Sequence, residues 1–134
     1  MSGPILYVDT SEVRDGRLAD VRQAMQELAQ FVRTHEPQLI AYEFYLSGNG
    51  TRMTLVAMHP DAASMDFHLN VAGPAFRKFV GLIELQRIDV YGRVSEMALQ
   101  QLQQKADMLG HATLTIHDLQ SGFTRVADRT TQIG

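Results

Sequence analysis

Two segments decide the fold, LIAYEFYL at residues 39–46 and MTLVAM at residues 53–58, and SGNG at residues 47–50 lies between them. In each segment apolar or aromatic side chains occupy both alternating sets of positions. This pattern predicts two β-strands without a solvated face. Glycine and asparagine in the connection tolerate the positive φ of a tight reversal, so the two strands are predicted to form a hairpin.

The residues before the hairpin predict a strand and a helix. Residues 4–8 are apolar and rich in β-formers, which indicates a buried strand, and the polar residues 9–16 then predict a loop. A three-four spacing of apolar residues over 17–35 predicts a helix with one apolar stripe. Asp15 is placed to cap the start of this helix, and Pro37 prevents its continuation beyond the preceding glutamate.

The residues after the hairpin repeat this order with a second helix and a fourth strand. Asp61 is placed to cap a helix, which Gly73 and Pro74 should break before it resumes as far as Ile83. Residues 85–94 predict the fourth strand. The resulting βαββαβ order predicts an α+β fold, a ferredoxin-like sheet with two helices on one face.

The chain continues beyond this core of residues 4–94. An extension over residues 95–127 contains a predicted helix at 96–109 and an alternating strand at 112–119, and residues 128–134 resemble a frayed tail. No internal repeat or linker divides the sequence. All 134 residues are therefore expected to form a single domain.

Composition narrows the possible partners. The formal net charge is -3, with 12 basic and 15 acidic residues scattered along the chain, so no positive stripe indicates nucleic acid or an anionic membrane. No apolar run approaches the roughly 20 residues that span a bilayer. The absence of cysteine excludes disulfides and thiolate chemistry. A cytoplasmic protein with neither nucleic acid nor membrane as a partner is expected.

The sheet itself predicts a second copy of the chain. Four strands spaced by about 4.8 Å make a sheet roughly 19 Å wide, and two helices cover only one side of it. The other side, apolar in residues 39–46 and 53–58, must also be covered. A symmetric homodimer with face-to-face sheets is the expected solution, and the alternative is that the C-terminal extension folds over this side.

The stretch AYEFYLSGNGTRMTLVAMHPDAASMDFHLNVAGPAFRKF at residues 41–79 resembles the antibiotic biosynthesis monooxygenase-like group of dimeric α/β-barrel proteins, and the resemblance extends over residues 4–94. Its most specific part is an aromatic or polar residue that ends the third strand and a histidine nine residues later on the second helix, here His59 and His68. Many relatives have tryptophan or tyrosine at the first position, whereas this chain has histidine. The resemblance implies a pocket between sheet and helices, used by some members for cofactor-free oxidation of polycyclic phenols and by others for haem degradation.

The same resemblance suggests the site residues. His68 is the candidate catalytic base, because a neutral imidazole with a pKa near the working pH suits proton transfer. His59, Tyr7, Asp9 and Phe67 are the candidate substrate-binding residues, and Asp9 corresponds to an asparagine of the haem-degrading relatives. A partly exposed His68 would contribute little packing, so His68→Ala is expected to abolish turnover while barely changing stability.

No metal is predicted, because His59 and His68 are nine residues apart rather than the four that align two ligands on a helix. No cofactor is predicted either: His68 could serve as an axial haem ligand, but the asparagine and tryptophan that the resemblance to haem-degrading relatives implies are absent. The leading hypothesis is a cofactor-independent monooxygenase that acts on an aromatic or polyketide-like molecule. The alternative is a non-catalytic domain that binds a small apolar ligand or serves in assembly. An open pocket of at least about 300 Å³ at His68 would favour binding or catalysis, and closure by Met65, Phe67 and Phe76 would favour a structural role.

Overall fold

A computed structural model describes residues 3–47 and 49–125. The elements, in chain order, are β1 (Ile5–Val13), α1 (Leu18–His35), β2 (Ala41–Leu46), β3 (Arg52–His59), α2 (Ala62–Ala72), a 3₁₀ segment (Gly73–Phe79), β4 (Ile83–Tyr91), α3 (Glu96–Leu109) and β5 (Thr113–His117). The strands form one sheet in the order β2-β3-β1-β4-β5, parallel between β4 and β5 and antiparallel elsewhere. The predicted α+β, ferredoxin-like fold is confirmed.

β1 is longer than the sequence suggested. The expected loop from Asp9 onward is instead strand as far as Val13. β1 is the central strand and hydrogen-bonds to β3 on one edge and β4 on the other, so polar residues are held in extended conformation by two partners. The alternation of the strand turns Asp9 and Ser11 inward, where both are buried.

The start of α1 also differs from the prediction. The helix begins at Leu18, so Arg17 occupies the capping position and makes no side-chain capping bond. Asp15 lies two residues too early to cap. The predicted end is confirmed, because α1 stops at His35 and Glu36 is its C-cap residue, directly before Pro37.

The predicted hairpin is confirmed. β2 and β3 pair from Ala41 opposite Met58 to Leu46 opposite Met53. Gly50 has a φ of 76°, and a Cβ at this position would lie 2.7 Å from a methyl carbon of Leu18. The turn therefore requires glycine there both for its backbone conformation and for the close approach of α1.

The second helix begins and breaks where the sequence indicated. The Asp61 side chain accepts a hydrogen bond from the Ser64 amide at 2.9 Å, and the chain changes to 3₁₀ geometry at Gly73. Ile83, predicted to end the helix, instead begins β4. The cause is Gly81, whose φ of 82° ends the helical turn and redirects the chain.

The C-terminal helix and strand complete the same sheet and core. Ser95 caps α3 by accepting a hydrogen bond from the Ala98 amide at 3.0 Å, and Gly110 ends the helix with a φ of 148°. A side chain at Gly110 would lie 2.9 Å from backbone atoms of Leu85, so glycine allows the chain to pass close to β4. The strand predicted at residues 112–119 is β5, which pairs with β4 of the same chain and extends the edge of the sheet.

The three helices pack on one face of the sheet, so the other face, here called the open face, is uncovered within the described residues. Side chains at the centre of the open face are aliphatic and half-buried: Leu6, Val8, Val56 and Met58. Toward the edges lie Tyr45 and Tyr91, which are 52% and 43% exposed. The alternative that the extension folds over this face is wrong, because β5 extends the edge of the sheet and α3 lies beside the other helices.

Across residues 3–47 and 49–125, the structure contains no helix with the length and apolar character needed to cross a bilayer. The predicted frayed tail at residues 128–134 lies outside the described residues.

The extension should be part of the folding unit, and two leucines of α3 test this. Leu102 is completely buried and Leu99 is 40% exposed on the same helix. Leu102→Ala should lower the free energy of unfolding by about 2–5 kcal/mol, whereas Leu99→Ala should change it by about 0.5 kcal/mol or less. Urea denaturation of both variants measures the difference. Equal effects would show that α3 does not contribute to the core.

Candidate functional site

The buried polar groups of this protein meet between the sheet and the helices. The inward alternation of β1 supplies Tyr7 and Asp9, and the end of β3 supplies His59. His68 faces inward from α2, one turn after Ser64 on the same buried side of that helix. Lys105 comes from the buried stripe of α3 and Glu36 from the end of α1. Side chains from all three helices therefore converge over the middle of the sheet.

His68 and Glu36 form a buried pair. Nδ1 of His68 donates to the Glu36 carboxylate at 2.7 and 3.0 Å, and the two residues are 5% and 2% exposed. An ionised carboxylate only accepts hydrogen bonds, so Glu36 fixes the proton of the neutral imidazole on Nδ1. Nε2 then carries the lone pair. This arrangement leaves Nε2 as a base whose orientation is set by a carboxylate.

His59 lies beside this pair with its ring 5.4 Å from that of His68. Its Nδ1 hydrogen-bonds to the Ser64 hydroxyl at 2.8 Å, while its buried Nε2 has no partner among the described residues. Burial, and secondarily the electrostatic influence of the neighbouring His68, lower the pKa of His59 to about 3. His59 is therefore neutral near pH 7 and offers an unused ring nitrogen.

Tyr7, Asp9 and Lys105 form a second buried cluster. The Tyr7 hydroxyl donates to Asp9 Oδ2 at 2.5 Å, and Lys105 Nζ donates to the same hydroxyl at 2.7 Å and to Oδ2 at 3.1 Å. Burial raises the pKa of Tyr7 well above its usual value, and the adjacent Asp9 carboxylate raises it further. Tyr7 therefore stays protonated. Lys105 compensates a carboxylate that would otherwise be buried without a counter-charge.

Two narrow cavities lie among these groups. The smaller cavity, of about 210 Å³, is lined by Tyr7, Ala57, His59, Met65, His68, Leu69, Phe76, Leu102 and Lys105. The larger cavity, of about 280 Å³, is lined by Asp9, Leu28, Tyr42, Phe44, Met53, Leu55, Phe76, Phe79, Ile83, Leu85, Lys105 and Leu109. Both volumes include the part that opens toward solvent. Each cavity is apolar with a few polar groups, and its enclosed space is only about the size of a water molecule, far below the roughly 300 Å³ of common small-molecule sites.

The structure brings together four of the five residues that the sequence suggested. His68, His59 and Tyr7 line the smaller cavity, and Asp9 lines the larger one. The prediction that Phe67 binds the substrate is wrong, because its side chain is 44% exposed and lines neither cavity. The cause is helical geometry, because Phe67 precedes His68 by one position and points to a different side of α2.

The expected tolerance of His68→Ala also needs correction. His68 is buried rather than partly exposed, and its removal would leave the Glu36 carboxylate buried without a partner. Breaking a buried pair in this way costs about 3–5 kcal/mol. A conservative replacement is therefore needed to separate function from stability.

Sequence reasoning missed Glu36 and Lys105. Both carried a signal that could have been noticed. Lys105 lies three residues after Leu102 and four before Leu109, on the apolar stripe of α3, and a lysine there requires a buried partner. Glu36 follows the last residue of α1, but no local pattern shows that it faces His68. The structure also groups no three histidine, aspartate or glutamate side chains in a metal-binding arrangement within its described ranges.

Comparison with known proteins identifies the fold. No family model and no curated protein sequence matches the chain. Among solved structures, SnoaB, a cofactor-independent oxygenase from Streptomyces nogalater, is similar with a TM-score of 0.58 over 71% of this chain and 97% of that chain at 13% identity. A protein from Caulobacter crescentus, described as a candidate antibiotic biosynthesis monooxygenase, gives 0.61 over 70% and 92% at 16% identity.

The chain has the same α+β fold as these structures. MupZ from Pseudomonas fluorescens matches a larger share of this chain. The match covers 92% of this chain and 95% of MupZ, with a TM-score of 0.69 and 17% identity. A match over 92% of 134 residues leaves fewer unmatched residues than the 14 of α3, so it includes part of this helix. Part of the C-terminal addition to the ferredoxin-like core is thus matched by MupZ.

The low pKa of His59 predicts a pH-dependent stability. An unfolded chain binds a proton on His59 below pH 6.5 while the folded chain does not until about pH 3, so stability falls as the pH decreases through this window. Between about pH 7 and 5 the loss from this residue should be about 2 kcal/mol. Urea denaturation at both pH values should give a smaller loss for His59→Gln than for the wild type. His35→Gln, at an exposed histidine, is the control. An equal loss in all three proteins would contradict this assignment.

Proposed function

We propose that this protein is a cofactor-independent monooxygenase that acts on an aromatic or polyketide-like phenol, with His68 as the base. The observation that carries the proposal is the buried His68–Glu36 pair at the wall of an apolar cavity. Such a substrate needs little from the protein beyond a base and a desolvated site, because its anion reacts directly with dioxygen.

The proposed reaction begins with proton transfer from the substrate to Nε2 of His68. The carboxylate of Glu36 compensates the imidazolium charge and keeps the ring in place. The substrate anion forms a carbon–oxygen bond with dioxygen, and the proton on His68 goes to the resulting peroxide. Loss of water then leaves a carbonyl where the substrate had a CH₂ group, so dioxygen supplies one oxygen to the product and one to water without an external reductant.

The neighbouring groups have assigned roles in this proposal. Nε2 of neutral His59 lacks a partner and is available for a hydrogen bond to a substrate hydroxyl. Asp9 and Tyr7 contact the substrate at the far wall, where Lys105 holds both in position. Glu36 is a positioning residue, because it touches His68 rather than the substrate.

A non-catalytic domain that binds a small apolar ligand is the second candidate. The narrowness of both cavities favours it, since Met65 and Phe76 lie in the wall of the smaller one. In this case the buried polar pairs would hold the helices on the sheet and no proton transfer would occur. The two candidates differ in whether oxygen is consumed.

Oxygen consumption with a panel of hydroxylated aromatic compounds tests the first candidate. His68→Gln, whose amide can still donate to Glu36, should reduce turnover by about 10²–10⁴-fold with little change in melting temperature. Glu36→Gln should cause a smaller loss, because the amide oxygen still accepts the hydrogen bond from Nδ1 but no longer compensates the imidazolium charge that forms on His68.

His35→Gln is the matched control and should retain wild-type turnover, because His35 is exposed and bonds only to its own helix. Unchanged turnover in His68→Gln would remove His68 from the mechanism. Saturable binding of a panel compound with no oxygen uptake would favour the non-catalytic candidate.

We also propose that the protein is a homodimer in which the open faces of two sheets pack together. The support is the half-buried aliphatic centre of this face, bordered by Tyr45 and Tyr91. Arg87 and Asp89 lie on the same face and pair at 2.9 Å, and His117 also bonds to Asp89 at 2.9 Å. An apolar centre with paired charges near its edge is typical of protein interfaces.

Sedimentation at micromolar concentration should show a dimer. Val56 lies at the centre of the open face, opposite Glu43 on β2 and Val8 on β1. Val56→Lys should give a monomer, because two copies of the charge would be buried at the interface. Gln26→Lys, on the exposed side of α1, should remain dimeric. A wild-type monomer, or a dimeric Val56→Lys protein, would contradict the proposed interface.

A further inference from the structure

The two cavities are adjacent and share part of their walls. Within the described residues, Phe76 and Lys105 are the side chains that line both. Nζ of Lys105 lies 4.2 Å from the centre of the Phe76 ring, so the two side chains meet at the boundary. The smaller and larger cavities are therefore separated by one lysine and one aromatic ring.

Each cavity is lined by a residue that carries a buried polar atom without a partner among the described residues. For the smaller cavity this residue is His59, whose Nε2 is unpaired. The larger cavity is lined by Tyr42, whose hydroxyl also lacks a hydrogen bond. Buried polar groups are rarely left unpaired, and each such case requires an explanation. A ligand with polar atoms at both ends would satisfy the two groups together.

The boundary between the cavities is built from side chains that can move. Phe76 lies in the 3₁₀ segment, whose hydrogen bonds are less favourable than those of an α-helix. Lys105 has a flexible four-carbon stem. A cation–π contact contributes only about 0.5–2 kcal/mol, so a stronger partner can displace the ring.

The third N–H donor of Lys105 indicates which ligand group could displace the ring of Phe76. An ammonium group has three donors, and the structure assigns one to Tyr7 and one to Asp9. The remaining side of the ammonium faces the ring of Phe76. A lysine accepts no hydrogen bonds, so a ligand atom that replaces the ring must be an acceptor. A carboxylate or phenolate oxygen is favoured, because a charge-assisted bond is about twice as strong as a neutral one.

We propose that the two cavities are halves of one ligand site, that Phe76 and Lys105 form an internal gate between them, and that the ligand is an elongated, mostly apolar molecule with an anionic oxygen that binds Lys105. In this structure the enclosed space in each half is only about the size of a water molecule, so the ligand enters only when Phe76 moves aside and the two halves join. The inference rests on the proposed function only in taking these cavities as the ligand site. It assigns to the C-terminal extension, through Lys105, a part in choosing the ligand.

Two fluorescent probes test the gate by binding alone. 6-Hydroxy-2-naphthoic acid has the anionic carboxylate and a second oxygen at its far end, whereas 2-naphthol lacks the carboxylate. At about pH 7 the wild-type protein should bind the first probe at least about tenfold more tightly than the second. Lys105→Met should reduce this preference to less than about threefold. Lys78→Met, at an exposed lysine that pairs with Glu27, should retain it.

Lys105→Met leaves Asp9 buried without a counter-charge and can fail to fold. The double variant Asp9→Asn with Lys105→Met removes both charges and keeps the probe experiment usable, and it should also lose the preference. Phe76→Leu should strengthen binding of the elongated probe several-fold, because the ring no longer has to be displaced. Phe31→Leu, outside both cavities, is its control.

The inference is overturned if the wild type binds both probes within about threefold, if the double variant keeps the tenfold preference, or if neither probe binds below about 1 mM. It is also overturned if Phe76→Leu and Phe31→Leu change both affinities equally. If the wild type prefers the carboxylate probe but consumes no oxygen with any phenol, the result supports the gate and contradicts the proposed monooxygenase activity. Oxygen consumption that depends on His68, without the preference, supports the monooxygenase and contradicts the gate.

Discussion

Two carboxyl groups are buried in the interior, one from Asp9 on the central strand and one from Glu36 at the end of α1. The helices pack so that each carboxyl group has a partner. Lys105 of α3 meets Asp9, and His68 of α2 meets Glu36. A buried charge without a partner costs several kcal/mol, so each pair fixes where its helix can lie. α2 is thereby tied to the end of α1, and α3 is tied to the centre of the sheet.

These pairs also define the chemistry that the interior can support. The carboxylate of Glu36 leaves His68 with one ring nitrogen free, whereas burial keeps His59 neutral and Tyr7 protonated. The interior therefore combines an oriented base, a neutral imidazole and a lysine within an apolar lining. A folded core built only for stability would gain as much from apolar residues of similar volume. The retention of several ionisable groups beside cavities is typical of functional sites.

The C-terminal extension adds residues to the cavity walls of the shared fold. SnoaB covers 71% of the chain, a length that the ferredoxin-like core would account for, whereas MupZ covers 92%. In this protein the added helix closes the cavities with Leu102, Lys105 and Leu109. One scaffold supports many chemistries through such additions, so the fold alone does not assign the reaction.

The sequence by itself determined the features that depend on neighbouring residues. Alternation and spacing predicted the hairpin, the cap at Asp61, the break at Gly73 and the helix Glu96–Leu109, because each follows from local backbone preference. The resemblance led to His59 and His68, which do lie side by side. Only the tertiary structure decided the length of β1, the side of the sheet on which α3 packs, and the partners of the buried charges. Glu36 and His68 are 32 residues apart, and Tyr7 and Lys105 are 98 apart, so their contacts depend on how strands and helices are arranged in space. No local period in a sequence carries that information.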